Sequence, residues 1–239
     1  VFVFPQFDWI RFSKAFVSSL GFVPDILTTQ IEPYDSYIAL FQTLSRINNA
    51  LNGLSKDMWT YAMLGYVTQK VVTKEVGSTA LPHKVNPIYF EGAEGGFGIA
   101  NALLNFYAEK LSYSRLQRDL SDSTVRRSFG IAFAYSLLSY QSVREGLSRV
   151  VPNTVKLDED LSTHFEVLSE AVQNMLRARG VKAAYQKAKN FFRGTKVTKE
   201  SYQRFVTSLP LTNEDKELLI HLSPREYTGV AERLATYEK

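Results

Sequence analysis

A chain of 239 residues, 45% of them hydrophobic, suits one large domain or two small ones with a substantial core, which excludes a disordered polymer. It has no cysteine, which rules out a disulfide scaffold, a thiolate zinc site, an iron–sulfur cluster and a cysteine nucleophile. The 28 Lys and Arg against 24 Asp and Glu leave a net charge of +4, spread without a run of like charges. Nucleic-acid or membrane-surface binding gets little support from this, whereas an anionic small molecule fits.

In chain order, Asp8 reads as the N-cap of a helix ending near Gly21, with an extended link around Pro24 to Pro33 after it. Tyr37, Leu40, Leu44, Ile47, Leu51, Leu54, Met58 and Tyr61 then recur at alternating steps of three and four, an a/d seam that predicts a long bundled helix. Val67 to Leu81 break the pattern and read as a polar loop of the length that serves as a lid or binding loop. A helix restarts with Asn86 as N-cap and Pro87 at the first turn and runs to about Lys110. It contains Gly92, Gly95, Gly96 and Gly98, each costing up to about 1 kcal/mol, so a close approach of backbone or ligand is expected there.

A further helix from about Ser123 to Val150 is apolar on nearly all sides. One chain has little to surround three such helices, so oligomerisation is the physical inference. The longest apolar stretch, Gly130 to Leu138, is far short of a membrane span. Pro152-Asn153 reads as the domain boundary, and shorter helical patterns follow over Leu157–Arg179, Ala183–Phe192, Lys199–Leu209, Asn213–His221 and Pro224–Tyr237. The class is all-α: a long-helix bundle over residues 1–151 and a small helical domain over 152–239.

His83, His164 and His221 are far apart and lack ligand partners at helical spacing, so a metal site is not expected. Two segments carry unusual physics. Gly77 to Pro87 joins a loop to a helix start where Lys84 opposes the macrodipole, and its ammonium, the Asn86 amide and free N–H groups can face one anion. The other is Arg118 to Arg127, three arginines crowding a helix start, where either an anion sits between them or Asp119 and Asp122 pair with them.

Gly77-Ser78-x-x-Leu81-Pro82-x-Lys84-x-Asn86-Pro87 resembles the G-S-x-x-M-P-x-K-x-N-P loop of the fumarase/aspartase superfamily, with Leu81 in place of Met. Thr28-Thr29-Gln30-Ile31-Glu32-Pro33 and Arg118-Asp119-Leu120-Ser121-Asp122-Ser123-x-x-x-Arg127 resemble the bacterial adenylosuccinate lyase family. The likeness runs end to end, through His164-Phe165-Glu166-Val167-Leu168 and Arg193-Gly194. Gly92 stands where relatives often carry an Asn or Arg that reaches the ligand, so that contact is not carried over.

The resemblance implies the superfamily's central helical-bundle domain, here its C-terminal part (1–151) with the catalytic loop 67–86, plus a helical C-terminal domain (152–239). It implies a cytoplasmic homotetramer, with active sites shared between subunits and no metal or organic cofactor. The reaction would be β-elimination of fumarate from adenylosuccinate to give AMP, and likewise from succinylaminoimidazole carboxamide ribotide. Ser78 would be the general base, with Lys84 and Asn86 holding the carboxylates; Gln30, Thr79, Arg118, Ser123 and Arg127 would bind the rest of the substrate. The family's general-acid histidine lies in an earlier segment, so the chain looks like the enzyme's C-terminal half, expected to be inactive alone. The alternatives are a related lyase acting on argininosuccinate, fumarate or aspartate, and a non-catalytic helical module. The phosphate-suited arginines disfavour the first of these.

Overall fold

The computed structural model describes residues 1–70 and 86–237. The chain divides into two compact units, Val1–Val151 and Pro152–Lys239.

In the first unit, α1 (Trp9–Ser19) is capped by the Asp8 carboxylate, which accepts from the Arg11 amide at 2.9 Å, and Gly21 at φ +81° ends it. Two long helices follow, α2 (Asp35–Leu64) and α3 (Ile88–Lys110). The sequence predicts one helix from Ser123, but the structure has α4 (Ser121–Arg126) and α5 (Phe129–Arg149). The break is stabilised by buried Tyr107, whose hydroxyl donates to the Ser128 carbonyl at 2.8 Å and lies 2.9 Å from its Oγ. α3 is the middle helix, packed along both α2 and α5. A short pairing of β1 (Val67–Gln69) with β2 (Val150–Pro152) closes one end, continued by the Lys70 amide donating to the Arg149 carbonyl at 2.8 Å. Three-residue strands are too short to leave a periodic signal in the sequence.

The start of α3 corrects the expected cap. Pro87, not Asn86, is the N-cap, and no side chain caps the helix. Its carbonyl accepts from the Phe90 and Glu91 amides at 3.0 and 3.2 Å.

The seam on α2 is met in part, with Leu44, Leu51 and Leu54 packed against the core. Tyr37, Leu40, Ile47 and Tyr61 are exposed, and the buried line is Phe41, Ser45, Asn48 and Ser55. At one end, Phe41, Tyr107 and Phe129 form a ring cluster with centroids 4.9–5.5 Å apart. Midway the packing is polar. Asn48 Nδ2 donates to Asn101 Oδ1 (2.9 Å) and Ser136 Oγ (3.0 Å), and its Oδ1 accepts from the Tyr140 hydroxyl (2.5 Å). α5 turns its small residues Ala132, Ser136, Ser139 and Gly146 inward, while Ile131, Leu137 and Leu138 face out. Of the α3 glycines, only Gly96 meets a close neighbour, the Ser139 side chain. Gly92, Gly95 and Gly98 face open space among the described residues, so the expected close approach holds at one glycine of four.

In the second unit, α6 (Thr154–Thr163) starts at Asn153, whose side chain accepts from the Lys156 amide. The continuous helix expected to Arg179 is interrupted at His164, which leaves helical dihedrals (φ −120°, ψ 64°). A 3-10 turn (Phe165–Leu168) and α7 (Ser169–Ala178) then follow. Next come α8 (Ala184–Phe192), α9 (Lys199–Ser208) and α10 (Asn213–His221). The predicted last helix shortens to α11 (Ala231–Ala235). Glu226 holds Ser223 in a turn and Gly229 takes φ +57°, which no helix accommodates. The core gathers Leu168, Val172, Leu176, Tyr202 and Val206, with the Tyr202 hydroxyl donating to the Leu219 carbonyl at 3.0 Å. Arg179 forks onto both oxygens of buried Asp215 at 2.6 and 2.8 Å and holds that carboxyl below the usual range.

Candidate active site

Of the residues singled out from the sequence, Ser78, Thr79 and Lys84 lie outside the described residues, as does residue range 71–85 of the expected loop. Asn86 is half-buried just ahead of α3. The other four, Gln30, Arg118, Ser123 and Arg127, belong to two segments that the fold brings together. The Gln30 amide donates to the Gln117 carbonyl at 3.2 Å, joining the link before α2 to the residue ahead of Arg118.

The alternative that Asp119 and Asp122 neutralise the arginines is met only in part. Asp119 accepts from the Ser121 amide at 2.9 Å, the main reason its carboxyl is held low, and pairs with Lys110 (3.5 Å) and Arg115 (3.7 Å). Asp122 accepts from the Tyr34 hydroxyl at 2.6 Å, which chiefly holds it low, and lies 3.9 Å from Arg126. Arg118 and Arg127 are exposed and form no salt bridge among the described residues. Both carboxylates thus take their close partners elsewhere, Arg118 acting on Asp122 only at longer range, and the two guanidinium groups remain available to an outside anion. Ser123 is half-buried, and its hydroxyl donates to the Leu120 carbonyl at 2.9 Å. Its lone pairs stay available, but donating to a ligand requires the hydroxyl to rotate.

Beside these segments lies a cavity of about 320 Å³ lined by Thr28, Thr29, Tyr34, Lys110, Asp119 and Asp122. Tyr34 and Lys110 escaped the sequence reading. Tyr34 follows Pro33 and reads as an ordinary helix start, and its bond to a residue 88 positions away leaves no local signal. Among the described residues, no group of three or more His, Asp and Glu is placed to hold a metal ion. No helix among them is long and apolar enough to cross a membrane.

Long antiparallel helices, with Arg118 ahead of α4 and Arg127 at its C-terminal cap rather than at a helix start, form an all-α lyase fold of the fumarase/aspartase type. The same fold occurs in the 3-carboxy-cis,cis-muconate lactonizing enzyme from Pseudomonas putida, with a TM-score of 0.62 at 19% identity over 94% of this chain and 51% of that one. A family model described as "Lyase" matches residues 4–99, and one described as "Adenylosuccinate lyase C-terminal" matches residues 114–228. The chain belongs to the adenylosuccinate lyase family. It is 45% identical over 234 residues to the adenylosuccinate lyase of Legionella pneumophila, covering 98% of this chain and 51% of that protein. With the Escherichia coli K12 adenylosuccinate lyase it shares 42% over 228 residues, 95% of this chain and 50% of the relative. The chain thus spans about half the length of the curated relatives it matches.

Proposed function

We propose that this chain contributes the general base and the anion-binding arginines of a lyase that eliminates fumarate from adenylosuccinate to leave AMP. The same chemistry would act on succinylaminoimidazole carboxamide ribotide. The observation that carries the reading is the state of Arg118 and Arg127. Neither forms a salt bridge among the described residues, although two aspartates are within a few residues, and Arg118 follows Gln117, which is bonded to Gln30. Guanidinium forks match a phosphate or carboxylate bidentately. In this reading Ser123 and Gln30 complete the substrate grip and Thr79 adds a contact.

Ser78 removes the proton from the succinyl carbon, while Lys84 and Asn86 hold the carboxylates as negative charge builds. A serine hydroxyl is a weak base, so the step needs a closed site with fixed positive charge nearby. The general acid is a histidine that none of His83, His164 and His221 matches. A cytoplasmic location belongs to this reading, as does independence of metal or organic cofactors, nucleic acid and membrane. Val1–Val151 would be the C-terminal part of the central bundle domain and Pro152–Lys239 the C-terminal domain. The outward Ile131, Leu137 and Leu138 on α5, with exposed Leu40 and Ile47 on α2, support a homotetramer whose subunits share active sites.

The test is turnover by the full-length natural protein, offered adenylosuccinate, argininosuccinate and fumarate in parallel. Turnover of adenylosuccinate alone is expected; preference for a phosphate-free substrate would overturn the reading.

A further inference from the structure

We propose that Tyr34 is a positioning residue: its hydroxyl, bonded to Asp122 at 2.6 Å, fixes the orientation of the short helix whose flanks present Arg118 and Arg127 to the substrate anion. The proposal rests on the anion-site reading above.

The starting point is that α4 cannot hold itself. It has six residues, too few for a helix to persist on its own in water, and it ends at the break before α5. Its placement is therefore imposed from outside, by three ties. Asp119, just ahead of it, is bound to Lys110, and Ser128, just after it, is bound to Tyr107. Besides the packing of Val125 into the core, α4 is gripped by a side chain from outside its own neighbourhood through the hydrogen bond of Tyr34 to Asp122, across 88 residues.

Tyr34 is itself tightly constrained. It is buried and takes a left-handed backbone, φ 58°, at the N-cap of α2, four residues after Gln30. A non-glycine residue there costs of order 1 kcal/mol and persists only where its surroundings fix it. The result is that one tyrosine couples the Gln30 segment to the arginine segment. Asp122 is also buried, with Tyr34 as its short, charge-assisted partner. The adjoining cavity leaves room for α4 to turn once the tie is cut.

The test is Tyr34→Phe in the full-length natural protein, with kinetics measured on adenylosuccinate and on its phosphate-free nucleoside analogue. Loss of one charge-assisted bond, felt through positioning, is expected to raise KM for adenylosuccinate about 5- to 30-fold with kcat within about twofold. KM for the phosphate-free analogue should stay unchanged. Equal losses on both substrates mean general loosening and overturn the proposal, as does an unchanged KM. Asp122→Asn keeps an accepting oxygen and should retain KM within about threefold, whereas Asp122→Ala should behave like Tyr34→Phe. This pair decides the question if Tyr34→Phe does not fold, and equal effects of the two aspartate variants overturn the proposal. Arg127→Ala separates the two levels. If it raises KM while Tyr34→Phe does not, the tie alone fails; if Arg127→Ala leaves KM unchanged, the anion site fails and the tie with it.

Discussion

Gly146 on α5 faces the ring of Phe90 on α3 so closely that a β-carbon built on it would lie 2.8 Å from Cζ. Phe90 is fully buried and has nowhere to retreat. Gly146→Ala is therefore expected to destabilise the chain by about 1–3 kcal/mol through overpacking. Gly98→Ala, facing open space on α3, should instead gain up to about 1 kcal/mol from helix propensity. Urea unfolding of the two variants checks this, and equal midpoints would contradict the packing of α3 on α5.

Asn48 supplies three hydrogen bonds within the bundle, two as donor and one as acceptor. Asn48→Ala removes a partner from the Tyr140 hydroxyl, Asn101 and Ser136, which keep only their other bonds, and should cost about 1–3 kcal/mol. Tyr140→Phe removes only one of those bonds and should cost less. The order of the two unfolding free energies is the measurement.

Burial, and then the bond to Asp122, push the Tyr34 hydroxyl from the ordinary tyrosine value of 10.0 up to about 12. The folded state favours the protonated phenol. Its contribution is thus complete below the unfolded value and is lost as pH rises from about 10 toward 12. The stability difference between the natural chain and Tyr34→Phe should be level up to about pH 10 and shrink above it. A difference that stays level to pH 12 would refute the coupling.

Arg127→Ala in the full-length natural protein should act mainly on KM, because a grip remote from the breaking bond is largely uniform binding. Loss of a charged hydrogen bond, about 2–3 kcal/mol, corresponds to roughly 30- to 150-fold in kcat/KM. Steady-state kinetics with adenylosuccinate read this directly. An unchanged KM would make the arginine an ordinary surface residue.

Ser78→Ala should cut kcat by at least about 100-fold, the low end for a lost general base. Binding of adenylosuccinate should change only a few-fold, since a neutral hydroxyl contributes about 1 kcal/mol. Thr79→Ala, its neighbour, should do much less. Intact kcat in Ser78→Ala would assign the base elsewhere.

The long helices were legible because repeating apolar residues and end signals such as Asp8 and Gly21 act locally. What escaped depends on partners distant in sequence. The break at Ser128 is held by Tyr107, 21 residues away, whose hydroxyl adds a second donor to a carbonyl that also accepts from the Ile131 amide. The most buried line of α2 is Phe41, Ser45, Asn48 and Ser55, beside Leu44, Leu51 and Leu54 of the apolar seam, because its neighbours within the chain offer small and polar groups there. For the candidate site, the chemistry of Arg118 and Arg127 could be read from charge crowding alone. Their lack of a close ion pair with Asp119 and Asp122 could not, since those carboxylates are bonded to Ser121, Lys110, Arg115 and Tyr34.

The polar layer at Asn48 also bears on how this chain could be redesigned. Replacing Asn48, Asn101 and Ser136 with aliphatic residues and Tyr140 with Phe would exchange directional bonds for interchangeable contacts, and a slide of α2 by one turn would meet a smaller penalty. Such a variant could gain melting temperature while losing its single alignment, as polar residues inside helical interfaces fix register at a cost in stability. Thermostabilisation of this bundle is therefore better aimed at open positions such as Gly98 than at its interior asparagines.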